Sequence, residues 1–128
     1  MEGWHVPTDD EYIQLEMYLG MSESEANSTY WRGTNEGSKL AGNADLWNNG
    51  DLENDSEFGT SGFNGLPAGQ RHGNNGGYDF MGGFGYFWPS YEAYSISAWG
   101  RRLSYDYSSV NRFNYSKQLG ISIRCLKD

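Results

Sequence analysis

The sequence predicts an α+β fold with one main N-terminal helix, short antiparallel strands and long Gly/Asn-rich loops. Two observations carry that reading. A capping box opens a helix near the start, and the last third of the chain repeats short aromatic or alternating runs set off by turn residues. A third supports it: 18 glycines among 128 residues is about twice the usual share and favours tight turns over long helices.

Gly3-Trp4-His5-Val6 reads as a short aromatic strand. Thr8 followed three residues later by Glu11 is the capping box, with Pro7 before it and Asp9 and Asp10 in the first turn, where carboxylates suit the helix dipole. Tyr12, Leu15 and Leu19 share a helical face and Gly20 stands at the C′ position, so the helix spans residues 9–19. Residues 22–54 are polar, with Trp31 and Trp47 as isolated anchors and one helical turn at Ser38-Lys39-Leu40-Ala41. Residues 43–57 form an acidic, Asx-rich loop. Residues 61–69 alternate apolar with small or polar side chains, as a half-buried strand does, and residues 72–77 are a turn cluster. Strands follow at Tyr86-Phe87-Trp88 and at residues 98–103, the second with Trp99 and Leu103 inward and Gly100 and Arg102 on the other side. Residues 104–109 read as a turn leading to Val110-Asn111-Arg112-Phe113. A closing strand at residues 121–125 sets Ile121, Ile123 and Cys125 on one apolar face, and it is expected to lie beside the first strand.

A chain of this length builds one domain, residues 1–128. Hydrophobic residues make up only 37% but aromatics 16%, so the core must rest on rings, each burying about 150–250 Å². The net charge of −8 is uneven: residues 1–57 hold 13 Asp/Glu against 2 Lys/Arg, and residues 58–128 hold 4 against 7. No basic cluster offers the footprint that nucleic acid needs, and Arg101-Arg102 with Arg112 and Arg124 read as a solvated ribbon face. No apolar run is long enough for a membrane span, so no membrane insertion is expected, and no signal peptide or lipobox is visible.

Catalytic residues are not expected. His5 and His72 have no Ser, Cys or second His at a telling spacing, so neither a triad nor a zinc site can be drawn. Asp45, Asn49, Asp51, Glu53, Asn54 and Asp55 supply hard oxygen ligands and leave a structural calcium open, without the EF-hand spacing. The sequons at Asn27, Asn54 and Asn114 are chance products of an Asn- and Ser-rich composition. The best binding candidate is the segment 91–115, rich in Tyr, Ser, Asn and Arg, the residues of adaptable recognition surfaces. The expected ligand-binding residues are Tyr91, Tyr94, Arg102, Tyr105, Asp106, Tyr107 and Asn111.

An ordered series of short motifs across nearly the whole chain resembles the Fibrobacter succinogenes major paralogous domain, a family of bacterial surface and lipoprotein modules. The motifs are Gly3-Trp4-His5-Val6-Pro7-Thr8 with Glu11-Tyr12, Tyr18-Leu19-Gly20, Ser38-Lys39-Leu40, Ser61-Gly62-Phe63, Leu66-Pro67-Ala68-Gly69 and Gly85-Tyr86-Phe87-Trp88. They continue with Ala98-Trp99, Leu103, Val110 with Arg112, and Gly120-Ile121-Ser122-Ile123-Arg124-Cys125. The resemblance implies a C-type-lectin-like fold, of the kind shared with formylglycine-generating enzymes, and an extracellular or outer-membrane location. The family's usual Cys-Pro pair before Gly-Trp-His is replaced by Met1-Glu2, so Cys125 is expected to lack a mate and the chain to lack an upstream segment. Pro89 stands where the family tends to have Ser, so the preceding strand should end at Trp88 or run along an edge. Enzymes of the formylglycine-generating kind need two cysteines, and this chain has one, placed on an apolar strand face.

The function expected from these readings is a non-enzymatic binding or adhesion module that recognises a glycan or protein through its C-terminal Tyr/Ser/Arg face. Two alternatives stand beside it: a hypervariable receptor-binding protein diversified by a retroelement, and a divergent formylglycine-generating-type enzyme.

Overall fold

The structure is a computed structural model that describes residues 2–90 and 92–128. Helix α1 (Asp9–Tyr18) forms where the capping box predicts it. The Glu11 amide donates to Thr8 Oγ1 at 3.1 Å, and the Thr8 amide donates to Glu11 Oε2 at 2.8 Å. Leu19 caps the other end, and Gly20 follows at φ +133°. The Met21 and Gly20 amides then close on the Glu16 and Met17 carbonyls, the paired bonds of a Schellman stop.

A second capping box, Ser22 with Glu25, starts α2 (Glu23–Asn27), which sequence reading passed over because Ala26 is its one apolar residue. Strand β2 (Tyr30–Arg32) follows, then α3 (Glu36–Leu40), a 3-10 turn (Ala44–Leu46) and α4 (Asp51–Asn54), which give local order to the acidic tract. A small ribbon of β3 (Gln70–Arg71) and β4 (Tyr78–Asp79) brackets the predicted turn at residues 72–77. The main sheet has five strands, with β5 (Phe84–Phe87), β6 (Glu92–Tyr94), β7 (Ser97–Ser104) and β8 (Tyr107–Ser116) joining β2. Its order is β2-β8-β7-β5, and β6 pairs with the other end of β7; every pairing is antiparallel. Strand β1 (Trp4–His5) pairs with β9 (Leu126–Lys127), which brings the two ends of the chain together.

Tyr12, Ile13, Leu40, Trp47, Leu52, Phe87, Leu103 and Val110 form the core between the helices and one face of the main sheet. Edge-on contacts of Phe63 with Tyr12 and Phe87 extend it. Strand β5 ends one residue before Trp88 on an outer position of the sheet, as Pro89 requires.

Four expectations are corrected. The closing strand is not at residues 121–125: Ser122 makes one bridge to Phe87, Ile123 is 56% exposed, and pairing with the first strand falls on Leu126 and Lys127. Residues 61–69 are a loop, because Gly62, Asn64 and Gly69 take positive φ that breaks extended backbone. The turn after β7 is only Tyr105-Asp106, and the residues that follow extend β8 to ten. Arg101 and Arg112 are not solvated; both are buried.

Candidate functional site

Alternation along β7 and β8 sends arginines to both faces of the sheet. Arg101, between Trp99 and Leu103, points inward and lies directly opposite Arg112 on β8. Two guanidiniums across a strand pair repel each other. Asp9, from the first turn of α1, stands between them: its Oδ1 is 2.7 Å from Arg101 Nη1 and its Oδ2 is 2.6 Å from Arg112 Nη2. Burial pushes the Asp9 carboxyl up, but Arg112 and Arg101 together outweigh it and hold the group below its ordinary range. Two turns on, Glu16 accepts from Arg101 Nε at 3.0 Å. Its other oxygen sits 2.7 Å from Arg32 Nη1, in ion-pair contact but not aligned as a hydrogen bond. Arg32 also donates to the Val110 and Ala26 carbonyls. The row Arg32–Glu16–Arg101–Asp9–Arg112 therefore clamps α1 to the sheet, with Glu16 at 0% and Arg101 at 2% exposure. Glu16 and Arg101 are closed to solvent, while Asp9 and Arg112 at the end of the row line an open hollow of about 470 Å³ together with Thr8, Asp10 and Trp99.

The opposite face is paved with rings. Trp31 stacks on Tyr107 (centroids 4.3 Å apart, planes 20° apart), and Tyr30 stacks on Phe113 (5.1 Å, 28°). From Phe113 the contacts run on through Tyr115, Tyr86, Phe84 and Phe80, with centroids 4.8 to 6.0 Å apart. Gly100 makes room for this paving: a Cβ there would lie 2.7 Å from the Tyr115 ring, which crosses β7 at that point. The Tyr115 hydroxyl donates to Asn111 Oδ1 at 2.7 Å, and burial pushes its pKa up. Tyr30 takes φ +66°, which brings it to the same face as Trp31 although the two are sequence neighbours. A bulky residue held there costs about 1–3 kcal/mol.

Arg102 lies in the middle of these rings. Its guanidinium carbon is 5.1 Å from the centroid of Trp31, 5.0 Å from Phe84 and 6.0 Å from Tyr86. Arg102 Nε is buried without a hydrogen-bond partner, and among the described residues no carboxylate pairs with this side chain. It is the reverse of its neighbour Arg101, which is saturated by carboxylates.

The expected binding residues divide. Arg102 and Tyr107 meet through Trp31, and Tyr107 is 46% exposed. Asn111 shares their face but is 4% exposed beneath Tyr115, so it supports the surface rather than forming it. Tyr105 is half-buried against the core, its carbonyl bonded to the Leu52 amide. Asp106 is exposed in the β7–β8 turn and accepts from Ser104 Oγ. Tyr94 is exposed at the other end of β7, about 20 Å away along the strand, where an open hollow of about 750 Å³ includes Ile96, Asn114 and Lys117 in its walls. Lys117 donates to the Ser95 carbonyl there. Tyr91 lies outside the described residues. Trp31, Tyr30, Phe113 and Phe84 were missed, and the signal for the first two was an aromatic pair inside an otherwise polar stretch.

Both histidines are committed to carboxylates. His5 Nδ1 lies 2.7 Å from Asp128 and Nε2 2.9 Å from Glu11, while His72 Nε2 pairs with Asp79. In the acidic tract Asp55 accepts from the Glu57 amide, and among the described residues no three His, Cys, Asp or Glu side chains converge as a metal site. Cys125 is half-buried and free. Among the described residues no helix is long and apolar enough to cross a membrane.

The family model described as the Fibrobacter succinogenes major domain matches residues 2–127. No curated protein and no solved structure matches the chain.

Proposed function

The chain belongs to the Fibrobacter succinogenes major domain family, and from that membership we propose that it is a non-enzymatic binding module of a bacterial surface, with a C-type-lectin-like fold, that recognises a glycan through the aromatic face of its main sheet. The paired terminal strands, the single long helix and the long irregular excursion between them fit that fold. One observation carries the functional reading: a sheet face paved with rings, two of its stacks ending in the exposed Tyr107 and Tyr30, around a cation that has no counter-charge. A sheet face that served only as structure would be covered by another layer or made polar. The two stacked pairs, with the exposed Tyr30 and Tyr107 among them, suit the apolar C–H faces and hydroxyl edges of sugars.

A glycan array probed with the folded domain, with and without calcium, tests this. Binding should be independent of calcium and should be lost in Trp31→Ala and Tyr107→Ala variants that keep wild-type circular dichroism. Binding that survives both changes rejects the face as the site.

A further inference from the structure

We propose that Arg102 sets the specificity of this face and that the ligand is an acidic saccharide whose carboxylate pairs with the Arg102 guanidinium. The proposal rests on the reading of the aromatic face as a binding surface. The other three arginines of the sheet each meet a carboxylate at 2.6 to 2.7 Å, and Arg102 meets none. A partly desolvated cation without an anion is costly, and the rings beneath it repay only part of that cost. Rings attract the guanidinium but offer it no oxygen acceptor. Its N–H groups, which meet no acceptor among the described residues, remain to be filled, and the group that fills two of them side by side is a carboxylate.

The body carrying the carboxylate is a sugar rather than a peptide for a reason of backbone accounting. The face is lined with ring side chains, so a peptide laid across it would find few partners for its own amides. A saccharide can lay its apolar C–H faces on the rings while its hydroxyls, which also need partners, stay in water at the rim. Its ring faces can rest on the Trp31–Tyr107 and Tyr30–Phe113 stacks while a uronate carboxylate reaches Arg102 between them. Arg101 and Arg112 point to the opposite face and are paired there, so Arg102 is the sheet arginine left for this face, whereas residues 1–57 are strongly acidic. A short oligouronate is thus favoured over a long polyanion, which would also meet the acidic half.

The test is calorimetric titration with tetragalacturonate and tetramannuronate, each beside its fully methyl-esterified, neutral form. The wild type should bind an acid form about tenfold or more tightly than its ester. Arg102→Gln should bring the acid form down to the ester's level, and Arg102→Lys should retain part of the preference. Tyr107→Ala should weaken acid and ester by the same factor, and thermal melts should show each variant folded. Equal binding of acid and ester by the wild type, or a preference that survives Arg102→Gln, overturns the carboxylate pairing and leaves the aromatic face standing. No binding of any form, or binding untouched by Tyr107→Ala and Trp31→Ala, overturns the face itself and this proposal with it.

Discussion

Arg101 and Arg102 are consecutive residues in opposite electrostatic environments: the first touches Asp9 and Glu16 in the interior, the second lies over Trp31, Phe84 and Tyr86 with no anion. The alternation of a single strand produces both. One side of β7 is tied to α1 by ion pairs, and the other carries rings around a cation that meets no carboxylate among the described residues.

The interior row holds three cations and two anions, so its members are not equivalent. Glu16→Gln leaves Arg32 and Arg101 buried with one carboxylate fewer and should cost about 3–5 kcal/mol. Arg101→Met leaves two matched pairs, Asp9 with Arg112 and Glu16 with Arg32, and should cost clearly less. Urea unfolding midpoints of the two variants check the order.

Closure of the chain ends should depend on pH. Hydrogen bonds donated by the His5 ring to Asp128, and then to Glu11, raise its pKa above 6.5. A raised folded-state pKa means that the stabilisation is complete below the unfolded value and is lost as pH rises through the folded one. Glu11, held below its ordinary range by the Thr8 amide and then by His5, adds the acid limb: its contribution is lost as pH falls through its depressed pKa. Asp128→Asn should therefore reduce stability most near pH 6 and least well above the folded His5 value, as read from unfolding curves across pH.

Two glycines separate packing from the aromatic face. At Gly37 a Cβ would lie 2.2 Å from the Ser109 carbonyl oxygen, where α3 abuts β8, and neither backbone can yield cheaply. Gly37→Ala should lower stability by about 1–3 kcal/mol or more. At Gly100 the obstacle is the Tyr115 ring, which can lift. Gly100→Ala should cost less stability yet disturb the face, seen as loss of ligand binding and a shifted Tyr115 ring spectrum by NMR.

Much of the fold was legible because local chemistry was strong. Thr8, Glu11 and Gly20 mark both ends of α1, and Pro89 marks the end of β5. The closing strand was misplaced because Ile121, Ile123 and Cys125 alternate as a strand should, but between residues 121 and 125 the bridge found is that of Ser122 to Phe87. Burial of Arg101 was implicit in the alternation that turned Trp99 and Leu103 inward; its charge masked the pattern, because its partners Asp9 and Glu16 lie about ninety residues away in the chain. Of the residues that meet on the aromatic face, Arg102 and Tyr107 stood out in the composition of segment 91–115. Trp31 did not, since only the pairing of β2 with β8 brings it beside Tyr107. Tyr94 and Tyr105 share the vocabulary of that segment, yet the first lies at the far end of β7 and the second leans into the core.

The most direct measurement is an amide and indole NMR titration of the folded protein with a bound saccharide. The perturbed signals should cluster on the Trp31 indole N–H, Arg102, Tyr107 and Phe113. Shifts confined to the Tyr94–Ile96 hollow or to the acidic tract at residues 45–55, with the Trp31 indole unmoved, would contradict the account.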